Sequence, residues 1–134
     1  MQVKKLKQNA ILPERANSYA AGYDLYLPSD TSLEIGLNKV HIGIEIQIPH
    51  GHYGRIACRS SLAKGGMTVE AGVIDEDYRG EIMVLLRVRE QIELRRGWKI
   101  AQIIITPYAT PEIIQVDELG ETERGSGGFG STDN

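Results

Sequence analysis

From residue 39 to residue 48 apolar and polar side chains alternate. Val40, Ile42, Ile44, Ile46 and Ile48 hold the even positions, and Lys39, His41, Gly43, Glu45 and Gln47 the odd ones. Successive side chains of an extended chain point to opposite faces, so a period of two predicts a strand with one buried face. Pro49 and Gly51 supply the turn that ends it. Ile82, Val84, Leu86 and Val88 repeat the pattern, with Arg87 and Arg89 directed the other way. Residues 53–58, 68–74, 92–94 and 100–106 are predicted as further strands. The last is rich in β-branched side chains, which suit a pleated surface.

No segment carries a sustained apolar stripe at the helical period. One helical turn is predicted at residues 60–64, with Ser60 or Ser61 as its cap and Gly65-Gly66 as its stop. Many short strands parted by glycine and proline, with at most one short helix, predict an all-β fold, a jelly-roll-like distorted barrel. No internal repeat or linker divides the chain, so residues 1–120 are expected to form a single β domain. Residues 121–134 differ. Their run Arg124-Gly125-Ser126-Gly127-Gly128-Phe129-Gly130-Ser131-Thr132 has almost no core-forming side chain, which predicts a flexible C-terminal arm.

Composition narrows the functional classes. The chain has 134 residues, 41% of them hydrophobic, enough for one core. Its net charge is -3 with both signs interspersed, so no surface for nucleic acid or an acidic membrane is expected. Local arginines can still bind a small anion. Cys58 is the one cysteine, which excludes an internal disulfide and suits a reducing, intracellular setting. The polar N-terminus shows no secretory signal, and no basic cluster separates cytoplasm from nucleus. The longest apolar stretch, residues 100–105, is interrupted by Gln102, so no segment is expected to span a bilayer. His41, His50 and His52 are scattered without metal-site spacing and are expected at the surface. Cys58 reads as a small buried hydrophobe and Trp98 as a packing or turn residue.

Three segments and one isolated aspartate could carry chemistry. Arg59-Ser60-Ser61 precedes the short helix, where hydroxyls and N–H groups can hold an anion; its plainer reading is a helix cap beside a surface arginine. Asp75-Glu76-Asp77-Tyr78-Arg79-Gly80 lies between two strands. Acidic turn residues are usually just solvated, yet Asp75 directly follows the apolar Val73-Ile74 and could be held rigidly at a strand end as a general base toward water. Asp24, in Ala21-Gly22-Tyr23-Asp24-Leu25, has the plain reading of an edge or turn aspartate. The glycine-rich arm could be a frayed end. It also holds what closing over a nucleotide requires: glycine N–H groups for phosphates, an arginine to fork onto one, and a phenyl ring to cover a base.

Taken in order, these segments resemble the five motifs of the homotrimeric dUTPase family. They are Ala21-Gly22-Tyr23-Asp24-Leu25-Tyr26; Gly54-Arg55-Ile56-Ala57-Cys58-Arg59-Ser60-Ser61-Leu62-Ala63; Ala71-Gly72-Val73-Ile74-Asp75-Glu76-Asp77-Tyr78-Arg79-Gly80; Gly97-Trp98-Lys99-Ile100-Ala101-Gln102; and the arm from Arg124 to Thr132. The resemblance implies a jelly-roll trimer with active sites between subunits, over which the arm of one subunit closes. It implies that Asp75 orients and deprotonates the water attacking the α-phosphorus of dUTP, and that Gln102 orders the phosphate and water network. It implies that Tyr78 lies under the deoxyribose, leaving no room for a 2′-hydroxyl, while the hairpin around Gly72 and Val73 reads uracil through backbone groups. Arg59, Ser60 and Ser61 would hold phosphates. Arg124 would neutralise the γ-phosphate, Phe129 would stack on the base, and Gly130, Ser131 and Thr132 would donate to phosphate. Asp24 would hold Mg²⁺ through water, since that ion prefers to keep waters and bind triphosphate oxygens.

The departures are modest. Cys58 stands where the family commonly has proline, Ser61 where it has glycine, Trp98 where it has aspartate, and Glu81 where it has Asn or Gln; none removes a catalytic group. A relative of the same fold, dCTP deaminase, shares the Arg-Ser-Ser-Leu-Ala run but needs a glutamate on the strand after the third motif. Leu85 holds that place and cannot move a proton, and Gly72 stands where the deaminase has a histidine. The other alternative is a non-catalytic member acting as a nucleotide sensor, against which stand Asp75, Gln102 and Arg124.

Overall fold

The computed structural model describes residues 1–130. Its strands, in chain order, are β1 (Gln2–Lys5), β2 (Gly22–Tyr26), β3 (Thr31–Leu33), β4 (Gly36–His41), β5 (Ile44–Gln47), β6 (His52–Ala57), β7 (Thr68–Glu70), β8 (Val73–Ile74), β9 (Met83–Val88), β10 (Ile92–Leu94) and β11 (Lys99–Pro107); helix α1 (Ser60–Lys64) follows β6. The strands pair antiparallel in four sheets ordered β2-β11-β6-β8, β4-β9-β7, β1-β5 and β10-β3. Neighbours in space are mostly distant in sequence, the mark of a jelly roll rather than a meander.

The period-two reading of burial holds. Val40, Ile42, Ile44, Ile46 and Ile48 are all buried, as are Ile82, Val84, Leu86 and Val88, while Arg87 and Arg89 face solvent. With Leu25, Ile56, Ile100 and Ile103 they form one core cluster between the sheets. Each such side chain stabilises the fold by roughly 1.5–3 kcal/mol through burial.

Continuity is where the structure departs from the sequence reading. Residues 39–48 are two strands, not one, because Gly43 takes φ 79° and turns the chain. The alternation survives the bend: the Ile42 N–H donates to the Ile82 carbonyl at 3.1 Å, and the Ile82 N–H to the Ile44 carbonyl at 2.8 Å. Residues 68–74 likewise split into β7 and β8 at Ala71 (φ 57°) and Gly72 (φ 108°). Helix α1 lies where expected, but neither serine caps it. Arg59 is the N-cap, with no side-chain capping bond, and Ser60 and Ser61 are exposed in the first turn. Cys58 is only half-buried, and its Sγ lies 3.4 Å from the carbonyl oxygens of both Arg59 and Met67, so it is a polar contact rather than a plain core hydrophobe. Asp24 is not a turn residue: it lies in the middle of β2, the edge strand of its sheet, and is nonetheless buried. Strands β1 and β3 carry no sustained alternation of their own, because each is short and is held by pairing, with β5 and β10.

Past β11, residues 108–130 form no strand or helix, and Ile113, Ile114, Val116 and Leu119 are exposed. Among the described residues no helix is long and apolar enough to cross a membrane.

Candidate active site

The turn between β7 and β8 starts the first part of the site. Ala71 and Gly72 both lie in the left-handed region, which favours glycine. A Cβ on Gly72 would meet the Ile56 carbonyl oxygen at 2.7 Å, so only a bare backbone can rest on β6 here. The Ile56 N–H donates to the Gly72 carbonyl at 2.8 Å and fixes that approach. The hairpin walls a cavity of about 290 Å³ that also borders Asp75, Tyr78, Met83 and Leu85.

Strand β8 pairs with β6 through Gly54↔Ile74 and Arg55↔Val73, so Asp75 leaves the sheet level with Tyr53. A turn follows, closed by the Tyr78 N–H donating to the Asp75 carbonyl at 3.1 Å. The Tyr78 hydroxyl donates to the Glu81 carbonyl at 2.8 Å, and the ring lies across Gly80, where a Cβ would collide with it. Two carboxylates flank the turn. Glu76 accepts the Gly51 N–H at 2.9 Å and the Tyr108 hydroxyl at 3.0 Å, and lies 3.1 Å from His50 Nδ1. The Gly51 amide first, then Tyr108 and His50, hold its carboxyl below the ordinary range; the same bond raises the Tyr108 hydroxyl. Glu81 lies 2.8 Å from His41 Nδ1 and accepts the Gly43 N–H at 2.9 Å, and these two, His41 foremost, lower its carboxyl.

The second part is a separate polar cavity of about 360 Å³ bordered by Gly22, Asp24, Arg59, Ser60, Ser61 and Gln102. Asp24 is the buried carboxylate there, with Arg59 Nε and Lys99 Nζ each at 3.3 Å. Arg59 also donates to the Lys99 carbonyl at 3.2 Å, so its guanidinium is held by two elements. Two cations around one carboxylate leave the cluster with a net positive charge, and Arg59 borders the cavity, where a guanidinium suits phosphates. Gln102 Nε2 donates to the Cys58 carbonyl at 3.2 Å, and its side chain lies over the bare Cα of Gly22. A register shift between Lys99 and Ala101 on β11 lets residues three apart serve the same side.

The two parts are separate cavities within one chain. Asp75 stands level with Tyr53 and Arg59 lies six residues further along extended chain. Asp75 borders the first cavity and Arg59 the second, and no residue lines both. The arm makes a third group: Arg124, Phe129 and Gly130 are exposed and border neither cavity. Ser131 and Thr132 lie outside the described residues. Sequence reasoning missed Lys99, Glu76, Glu81 and Tyr108 as site-shaping residues. Among the described residues no group of three or more His, Cys, Asp or Glu could hold a metal.

Comparison with known proteins gives the family. The dUTPase family model matches residues 8–133. A deoxyuridine 5'-triphosphate nucleotidohydrolase of Solanum lycopersicum is 50% identical, covering 98% of this chain and 80% of its own. That of Paramecium bursaria Chlorella virus 1 is 46% identical over 97% and 95%. Among solved structures, a mutant of the Staphylococcus bacteriophage 80alpha dUTPase with dUpNHpp gives a TM-score of 0.88 at 29% identity, covering 98% of this chain and 96% of that one. A mutant dUTPase from phage phi11 of S. aureus, described with a structural Mg(II) ion, gives 0.82 at 26% identity over 87% and 96%. Identity of this order along almost the entire length exceeds what a shared fold alone would leave: the chain belongs to the dUTPase family.

Proposed function

We propose that this chain hydrolyses dUTP to dUMP and pyrophosphate, lowering dUTP and supplying dUMP for dTTP synthesis. The observation that carries the reading is the Ala71-Gly72 hairpin, pressed onto β6 and walling a cavity with Asp75 and Tyr78 at its rim. Backbone groups fixed in this way present a donor and acceptor pattern that matches uracil and rejects cytosine, and the tight wall leaves no space for the thymine methyl. The Tyr78 ring, held by Gly80 and the Glu81 carbonyl, occupies the place of a 2′-hydroxyl.

Asp75 takes a proton from water as the water oxygen bonds to the α-phosphorus. The bond from that phosphorus to the bridging oxygen breaks, and pyrophosphate leaves. Arg59, Ser60 and Ser61 hold phosphate oxygens, and Gln102, oriented by the Cys58 carbonyl, orders the water network. Asp75 and Arg59 border separate cavities of one chain, which supports a site that takes them from different subunits of a homotrimer. The arm of a subunit, through Arg124, Phe129, Gly130, Ser131 and Thr132, closes it.

The donor set suits Mg²⁺ carried by the nucleotide. Asp24 is a single carboxylate already facing two cations, so it forms no cage and would reach the ion only through water. When bound to the triphosphate, Mg²⁺ supplies charge neutralisation for the leaving pyrophosphate. The expected setting is intracellular, cytoplasmic or nuclear. Hydrolysis in ¹⁸O-water tests the reading, with dCTP, dTTP and UTP in parallel. Label is expected in dUMP; label in pyrophosphate, or equal turnover of dCTP, overturns it.

A further inference from the structure

The turn that bears Asp75 and Tyr78 is tied down at both ends, and in the same way. At one end Glu76 accepts the Gly51 N–H at 2.9 Å; at the other Glu81 accepts the Gly43 N–H at 2.9 Å. The two glycines have nearly equal backbone conformations, φ 80° and 79°, which only glycine adopts freely. Gly43 is the residue that enters β5, and Gly51 lies in the turn that leaves it. Strand β5 is anchored in turn by Ile44 and Ile46, both buried in the core. A rigid strand therefore reaches both ends of the loop through one carboxylate each.

We propose that Glu76 and Glu81 are positioning residues, clamping the loop to the two ends of β5 so that Glu76 fixes Asp75 and Glu81 fixes Tyr78. The proposal rests on the roles given to Asp75 and Tyr78 above. Asp75 is exposed, and the hydrogen bond found for it uses its backbone carbonyl, so its place must be set by its neighbours. Glu76 is the next residue. Its carboxylate is held from two further elements, the β5–β6 turn and Tyr108 beyond β11. Tyr78 gives its hydroxyl proton to the Glu81 backbone, so the ring moves with whatever holds Glu81. Carboxylate bonds to backbone N–H groups are charge-assisted and short, which suits a clamp. The His50 contact is almost fully exposed and adds little. A general base and a steric gate both lose effect on displacements near 1 Å, so such clamps act on turnover before they act on folding.

The test uses the full chain with Glu76→Ala, Glu76→Gln, Glu81→Ala and Glu81→Gln. Glutamine keeps a carbonyl acceptor for the glycine N–H and should rescue; alanine should not. Glu76→Ala should lower kcat on dUTP by about 10- to 100-fold with KM within roughly twofold. Glu81→Ala should chiefly raise kcat/KM for UTP relative to dUTP, by about 10-fold or more. Glu76→Asp, one methylene shorter, should fall between, and keeps the test open if the alanine chain folds poorly. Hydrogen exchange reads the clamp without turnover: the Gly51 and Gly43 amides should exchange faster in the respective alanine variants and as in wild type in the glutamine variants. A wild-type chain inactive on dUTP removes the catalytic reading and with it the positioning roles, while the exchange result still reports the two bonds. An active wild type, with both alanine variants matching it in kcat and in sugar selectivity, overturns the clamp and leaves the function standing.

Discussion

At the scale of single residues, the assigned chemistry turns on charges that the fold places rather than buries. Asp75 is the base in this reading, and Asp75→Asn keeps its size while losing its ability to take a proton. The expected outcome is a loss in kcat of about 10²–10⁴-fold with nucleotide binding retained, measured by pyrophosphate release and by titration with a non-hydrolysable analogue. The proton inventory gives a second expectation. The Glu81 carboxyl is held below its ordinary 4.5 by His41 and the Gly43 amide. A lowered value means that the folded form favours the ionised group. The resulting stabilisation is complete above the unfolded value and is lost as pH falls through the lowered folded one. Melting curves across the acid range below about pH 5 should therefore fall more steeply for wild type than for Glu81→Gln. The place of Asp75 at a strand end was legible because a carboxylate follows an apolar run directly. Glu76 and Glu81 were not, because the amides that give them a role lie 25 and 38 residues away in sequence.

At the scale of elements, period two located the buried faces of β4, β5 and β9, since that signal is local to each strand. It could not locate breaks. Gly43 continues an alternating pattern while turning the chain, and the Ala71-Gly72 pair hides inside an apolar run. Both breaks became readable only where another strand packs against them. The arm is the element whose purpose the isolated chain leaves open, since residues 121–130 are largely exposed and add nothing to the core. Deleting residues 124–134 should leave the melting temperature within about 2 °C, because the described residues among them belong to no part of the core. Turnover of dUTP should fall by at least about 10-fold if the arm closes the site. Calorimetry and steady-state kinetics on the same preparation read both; full turnover in the truncated chain would show the arm to be a frayed end.

At the scale of the whole molecule, the proposed trimer, with Asp75 and Arg59 of each site drawn from different subunits, has a consequence for inheritance. A chain that lacks Asp75 still offers an intact Arg59 cavity, and a chain that lacks Arg59 still offers an intact Asp75 hairpin. Each variant alone should be inert. Refolded together in equal amounts, they should regain activity in about a quarter of all sites, those that draw each group from the unimpaired donor. Two defective alleles of such a protein would complement one another in one cell, although neither encodes a working chain. An abundant inert chain would poison the sites of a working one by joining them. A molecule that divides its chemistry among copies thus makes dominance and rescue matters of stoichiometry.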